Sequence, residues 1–192
     1  MRDLSLHILD LAQNSVRAGA SLVEISLLAD PDADRLTVTL RDDGCGMPPD
    51  LLARVTSPFT TTRTTRGIGL GIPLFQENAE LAGGGVRIVS EVGRGTTVTG
   101  DFGLRHVDRP PLGDIAGTVI TLVVTTPLTP DYVLCLATGE RRYTFDTREM
   151  RAALVTVGLD APEVVAWMRE SLREGIAEAL PGLAAEVDVT RL

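Results

Sequence analysis

Two polar residues one helical turn apart raise the first chemical question. In the stretch "LDLAQNSVRAGA", Asp10 and Asn14 stand at i and i+4. On a helix they differ by about 40° around the axis and roughly 6 Å along it, so both address one site. An amide oxygen such as that of Asn14 is a hard ligand suited to magnesium, and a carboxylate beside it can orient or deprotonate a nucleophile. Taken alone, the pair also fits an Asp and an Asn that merely face solvent.

Three further stretches carry chemistry. "DDGCG" at 42–46 holds two carboxylates, two glycines and a cysteine after a strand-like run. Gly44 and Gly46 permit a backbone that lets a planar ligand approach closely, and a carboxylate there can accept from an exocyclic amine. A plain turn with solvated aspartates fits the same residues. "GIGLG" at 67–71 precedes a helical run. Closely spaced glycines at a helix N-terminus expose backbone N–H groups at the positive end of the dipole, which suits phosphate. The spacing is not the dinucleotide fingerprint, and no G-K-[ST] follows as in a Walker loop. Arg63 and Arg66 add positive charge just upstream. "GRGTT" at 93–97 reads as a glycine turn whose hydroxyl either reaches a base or does nothing beyond the turn.

The elements that must position these groups follow from periodicity. Leu4, Ile8, Leu11, Ala12, Ser15 and Val16 recur at helical spacing from Asp3, with Gly19 as a C-terminal cap. "LVEISLL" and "RLTVTLRD" alternate with period two around "DPDAD", as a hairpin does. "PPDLLARV" reads as a short helix with Pro49 in its first turn, the stretch from Thr56 to Gly71 as a loop, and "IPLFQENAELA" as a helix closed by Gly83, Gly84 and Gly85. "VRIVSEV" and "TTVTGDFGL" form a second hairpin. "RHVDRPPLGD" reads as a linker, dividing the chain into 1–104 and 105–192. Beyond it, "IAGTVITLVVTT" fits a strand by its β-branched residues or a helix capped by Asp114. A hairpin turning at Thr138 and Gly139 follows. Capping-box spacings at Asp146 and Asp160 head two helical runs, the last striped by Val164, Val165, Met168, Leu172 and Ile176.

Bulk composition narrows the class. With 192 residues, 44% hydrophobic and 23% charged, the chain can bury a substantial core. A net charge of −8 argues against a nucleic-acid or anionic-membrane surface. No apolar run is long enough for a membrane helix, and the N-terminus lacks a signal peptide's apolar core, so a cytoplasmic location is expected. Cys45 and Cys135 have no CxxC spacing, so neither a disulfide framework nor a zinc site is expected.

In this order, the four stretches resemble the boxes of the GHKL superfamily of ATP-binding domains, which includes histidine kinases, anti-sigma-factor kinases, mismatch-repair ATPases, gyrase-type topoisomerases and a heat-shock chaperone. The resemblance spans residues 3 to 104. It implies an α/β fold, the α+β sandwich of the Bergerat ATP-binding type, followed by a small α/β C-terminal domain. It further implies bound ATP and Mg2+, with Asn14 as metal ligand and Asp42 accepting from the adenine amine. Gly44 and Gly46 would pass beneath the base. Gly67, Gly69, Leu70 and Gly71 would wrap the phosphates, Arg63 would take the place of a lid lysine near the γ-phosphate, and Thr96 would bind near adenine. Asp10 falls where hydrolysing members carry a glutamate base, one methylene longer. The implied activity is transfer of the γ-phosphate to a partner protein or to water, with a non-catalytic ATP switch as the alternative and a homodimer as one possible assembly.

Two departures shape the expectation. Only 13 residues precede Asn14, too few for a phosphoacceptor hairpin, and the strand that usually precedes the first helix has no room either. Its place at the sheet edge falls to the C-terminal half or to a second subunit. The whole chain resembles a group of short freestanding bacterial ATP-binding proteins. His7 shares the helical face of Asp10 and Asn14, as phosphate contact, base partner, phosphoacceptor or packed side chain. His106 lies in the linker, within possible reach of the pocket. Cys45 reads as a small packing residue.

Overall fold

The computed structural model describes residues 2–55, 71–154 and 156–184. One six-stranded sheet organises them, in the order β3-β4-β2-β1-β5-β6. Its strands are β1 (Leu22–Asp30), β2 (Arg35–Asp42), β3 (Gly85–Glu91), β4 (Gly95–Gly103), β5 (Asp131–Thr138) and β6 (Arg141–Asp146). All neighbours are antiparallel except β1 and β5, which run parallel with Ile25 opposite Leu134. β5 thus lies beside β1, so among the described residues the C-terminal half extends the sheet on that side, with β6 outermost. The sheet runs unbroken across the linker.

Strand alternation puts Val23, Ile25 and Leu27 of β1, Leu36, Val38 and Leu40 of β2, and Leu134 and Leu136 of β5 on one face, all buried. The helices α1 (Leu4–Arg17), α3 (Gly71–Leu81), α4 (Ile115–Thr125) and α6 (Pro162–Ala179) cover that face, and the short helix α2 (Pro49–Val55) follows the turn after β2 as its proline predicts. The opposite face carries polar pairs: Thr37 Oγ1 donates to Asp101 at 2.6 Å, and Arg41 meets Glu24 at 3.2 Å. Such one-sided burial is what period-two strands predict.

α1 starts where Asp3 accepts from the Leu6 N–H and ends before Gly19, whose φ is +70°. The linker holds its first turn, because the Leu4 and Ser5 N–H groups donate to the carbonyls of Pro111 and Leu112. The ambiguous run after Asp114 is helix: Asp114 accepts from the Gly117 N–H, and α4 packs between α1 and α6 with Val119, Leu122 and Val123 buried. α5 (Thr147–Ala153) is capped by Asp146 as its spacing predicts. Asp160 caps nothing. α6 begins at Pro162 with Ala161 at its N-cap and no side-chain cap bond. Proline already satisfies that first position, since it has no N–H to cap. Of the final stripe, Val164, Met168, Leu172 and Ile176 are buried and Val165 is partly so.

Candidate functional site

Two carboxylates at the C-terminal end of β2 point opposite ways. Asp42 is 7% exposed and faces the helix layer. Its Oδ1 accepts from the Gly44 N–H at 2.9 Å and the Thr96 N–H at 3.2 Å, and its Oδ2 accepts from Ser15 Oγ at 2.6 Å. A carboxylate offers about four lone-pair positions, so three donors leave one on Oδ2 unused. Asp43 is exposed and ties the strand to α1's exit, accepting from the Ser21 and Leu22 N–H groups and from Ser21 Oγ. Burial pushes its pKa up, but those hydrogen bonds outweigh it and hold the group below the usual carboxylate range.

The glycines around Asp42 save space against the protein itself. A Cβ on Gly44 would come 2.9 Å from Ala18 Cβ. Gly46 has φ +65°, and a Cβ there would lie 2.0 Å from the Glu91 carbonyl oxygen, so the turn docks onto the β3–β4 hairpin only without a side chain. The hairpin answers with Ser90, whose Oγ accepts from the Met47 N–H at 2.8 Å and donates to the Gly95 carbonyl at 3.0 Å. Thr96 Oγ1 sits 2.9 Å from Ser90 Oγ, while its N–H reaches Asp42. Cys45 is exposed rather than packed, yet it lies beside the pocket as expected, lining its wall, with its N–H fixed to the Ala18 carbonyl at 2.9 Å.

These residues surround a cavity of about 390 Å³. Asn14, Asp42, Gly46 and Thr96 line it, with apolar walls from Leu11, Leu40, Met47, Leu51 and Ile72. Its size and its mix of apolar walls with few polar groups are those of a small-molecule site. Asn14 Oδ1 accepts from Arg17 Nη1 at 3.0 Å, so a cation already lies at the oxygen assigned to the metal.

Asp10, half-buried, lies where α1 meets the first residue of α3 and is not among the described residues that line the cavity. A Cβ on Gly71 would come 1.7 Å from Asp10 Oδ2, an oxygen buried without a hydrogen-bond partner among the described residues. Phe75 clamps α3 in place by laying its ring on Gly100, where a Cβ would approach within 2.5 Å, and by packing 5.5 Å from Phe102. His7 belongs to this packing. It is fully buried, its ring centroid 5.5 Å from that of Phe75 and its Nε2 2.8 Å from the Asn78 side-chain amide. Burial lowers its pKa to about 4, so it is neutral near pH 7. His106 packs beside Gly83 and Gly103, at the opposite end of β4 from Thr96 and away from the cavity.

The structure therefore brings Asp10, Asn14, Asp42, Gly44, Gly46, Gly71 and Thr96 around one end of the sheet. Arg63, Gly67, Gly69 and Leu70 lie outside the described residues. The sequence reading missed Ser15, Arg17 and Ser90. Ser15 was visible as a polar residue within the apolar stripe of α1; Ser90 and Arg17 left no comparable signal. Among the described residues, no group of His, Cys, Asp and Glu forms a metal cluster, and no helix is long and apolar enough to cross a membrane.

A one-sided α/β sandwich with a ligand cavity between its helices and a carboxylate-floored turn is the class that fold and site define. Residues 2–106 match the family described as histidine kinase-, DNA gyrase B-, and HSP90-like ATPase. The chain belongs to that family, and this half of it is an ATP-binding domain of the family's kind. It is 32% identical over 111 residues to the non-motile and phage-resistance protein of Caulobacter vibrioides, covering 53% of this chain and 13% of that protein. It is 38% identical over 68 residues to the sensor kinase CckA of Brucella abortus, covering 35% of this chain and 7% of the kinase. The chain thus spans only a small part of the length of these relatives. Among solved structures, the ADP-complexed ATPase domain of Aquifex aeolicus MutL aligns over 93% of this chain and 68% of its own, at 14% identity and a TM-score of 0.47.

Proposed function

We propose that the chain binds ATP with magnesium in the cavity beside Asp42 and passes the γ-phosphate to a partner protein or to water in a regulatory role. The observation that carries this reading is the unused lone pair of Asp42 Oδ2, set at a cavity wall by three fixed donors. A buried carboxylate with one acceptor position left suits the exocyclic amine of adenine. The apolar walls Leu11, Leu40, Met47 and Ile72 suit the faces of the ring. Gly44 and Gly46 hold the turn that frames it, and Thr96 orients Asp42 through its N–H.

Asn14 fits a magnesium ligand: its amide oxygen is a hard donor, and in this structure it already faces the positive charge of Arg17. Arg17 has to release that oxygen when the metal arrives. Magnesium, when bound, screens phosphate charge and supplies electrophilic assistance. Asp10 acts as the base, with Oδ2 accepting the proton of the attacking hydroxyl or water. Its lack of a hydrogen-bond partner among the described residues leaves it free to do so. Gly71, with Gly67, Gly69 and Leu70 before it, is assigned to the phosphates, and Arg63 to the γ-phosphate, where a guanidinium suits a phosphate geometrically. Residues 1–104 carry this site. β5 and β6 complete the sheet, and residues 105–192 are assigned the surface for a protein partner or a second copy.

The test is turnover of γ-labelled ATP with magnesium by the purified chain, alone and with candidate partner proteins. Phosphate release or protein labelling that Asp10→Asn abolishes, with ATP binding retained, is the expected result. Turnover unchanged in Asp10→Asn removes Asp10 from catalysis. Tight ATP binding with neither release nor labelling supports the alternative, a switch that reads nucleotide without cleaving it.

A further inference from the structure

The two C-terminal helices α5 and α6 bound an apolar groove of about 360 Å³ that shares none of the described residues with the cavity beside Asp42. Met150, Ala153, Leu154, Val164 and Trp167 make its surface, with Glu163 at its rim. We infer that this groove docks an amphipathic helix with a basic flank, supplied by a partner protein.

The aromatic is the first argument. Trp167 is the chain's single tryptophan and is 56% exposed on α6. A large exposed aromatic beside an apolar groove marks an interaction surface, because tryptophan loses most by standing in water and contributes most when covered. Helix-in-groove recognition uses such anchors at helical spacing.

Charge selects the occupant. Glu163, Trp167, Glu170 and Glu174 stand at i, i+4, i+7 and i+11 of α6, all exposed, and span about 60° of arc around the helix. Glu149 is exposed on α5. Among the described residues, Glu149, Glu163 and Glu170 make no ion pair. The cations of α5 are engaged: Arg148 pairs with Asp146 at 2.6 Å, and Arg151 donates to Asp131 at 2.8 Å and to the Pro127 carbonyl at 2.7 Å. Arg169 and Arg173 lie roughly 90–130° round the axis from the centre of the acidic stripe. An apolar floor with an unpaired acidic border complements a helix carrying leucine-like anchors on one face and lysine or arginine beside them. A second copy of this chain would bring acid against acid, on a protein of net charge −8.

Trp167 makes the test direct, since its fluorescence reports only this groove. The full chain is titrated with a synthetic amphipathic helix of leucine and lysine, and with the same pattern built from leucine and glutamate. The expected result is a saturable blue shift of Trp167 emission with the leucine–lysine peptide alone, weakening as salt rises. Reversing the rim with Glu163→Lys and Glu170→Lys should weaken that peptide about ten-fold or more, and Ala153→Asp should do the same from the apolar wall. All three positions are exposed, so circular dichroism should show the variants folded. No shift with either peptide, equal binding of both, or an emission shift that follows protein concentration together with dimers in sedimentation would each overturn the proposal.

Discussion

The two ends of the candidate site are built to different degrees of completion. Around Asp42, two backbone N–H groups and the Ser15 hydroxyl already hold the carboxylate, and Ser90 locks the turn to the hairpin. Around Asp10, one buried oxygen has no described partner, and among the described residues the Asn14 side chain is held by one exposed arginine. A group fixed before binding loses little freedom on contact, so the Asp42 end is suited to recognise a rigid planar ring. A group left unsatisfied waits for the ligand to complete it, which suits the end where phosphates and metal arrive and leave. On the proposed reading, the fold sets base recognition, and the nucleotide itself finishes the reactive end.

The largest expected effect tests the completed end. Asp42→Ala leaves three donors facing a void in a nearly buried corner and should lower stability by roughly 4 kcal/mol in urea denaturation. Asp42→Asn separates architecture from recognition. Its amide oxygen can keep both backbone donors, so stability should fall by only about 1 kcal/mol, but its NH2 cannot accept from an amine. ATP affinity measured by calorimetry should then drop about 100-fold, near 2.7 kcal/mol. Unchanged affinity in Asp42→Asn would make the carboxylate purely structural and erase the contrast.

The second effect probes what holds the reactive end in position. His7 stands one turn before Asp10, packed on Phe75 and paired with Asn78 of α3. Its folded pKa is about 4, against 6.5 unfolded, with burial the chief cause and Asp3 pulling the other way. Between those values the unfolded chain binds the extra proton, so stability is full above pH 6.5, declines as pH falls to 4, and is flat for this group below that. The shift corresponds to roughly 3 kcal/mol across the window. His7→Gln should remove that part of the slope in denaturant midpoints measured from pH 7 to pH 4. A slope that survives the substitution would assign it to other groups.

Local pattern made much of this legible, and its limits are physical. The stripe of α1, the three hairpins and the Asp146 cap all depend on neighbours in sequence, where period and capping chemistry operate. The parallel pairing of β5 with β1 joins residues more than 100 positions apart, and a strand's own alternation does not name its partner. The run after Asp114 is ambiguous because the exposed face of α4 carries Thr121, Val124 and Thr125 rather than charged residues, so little polarity marks its helical period. At the site, the glycine boxes and the Asp–Asn pair could be read as a set. Which partner each would touch could not: Gly46 meets Glu91, Gly71 meets Asp10, and Asn14 meets Arg17 only after folding.

The smallest effect isolates the contact between Gly71 and Asp10. In the native background, Gly71→Ala drives a methyl into the space of Asp10 Oδ2, which must turn away. Such overpacking should cost about 1–2 kcal/mol. Asp10→Ala removes a buried oxygen with no described partner and should leave stability unchanged or raised by up to about 1 kcal/mol. In that second background the two closest atoms are gone and the Asp10 Cβ lies 3.5 Å away, an ordinary contact, so the sign should reverse. Alanine's helix preference then adds a few tenths of a kcal/mol, up to about 1. The coupling in the four-member cycle should therefore reach about 2 kcal/mol, well beyond the scatter of independent sites. Additivity would mean that α1 and α3 do not meet through this pair, and Asp10 would lose the burial that keeps its oxygen unpartnered. A large coupling together with lost turnover in Gly71→Ala would show the same carboxylate traded between stability and chemistry.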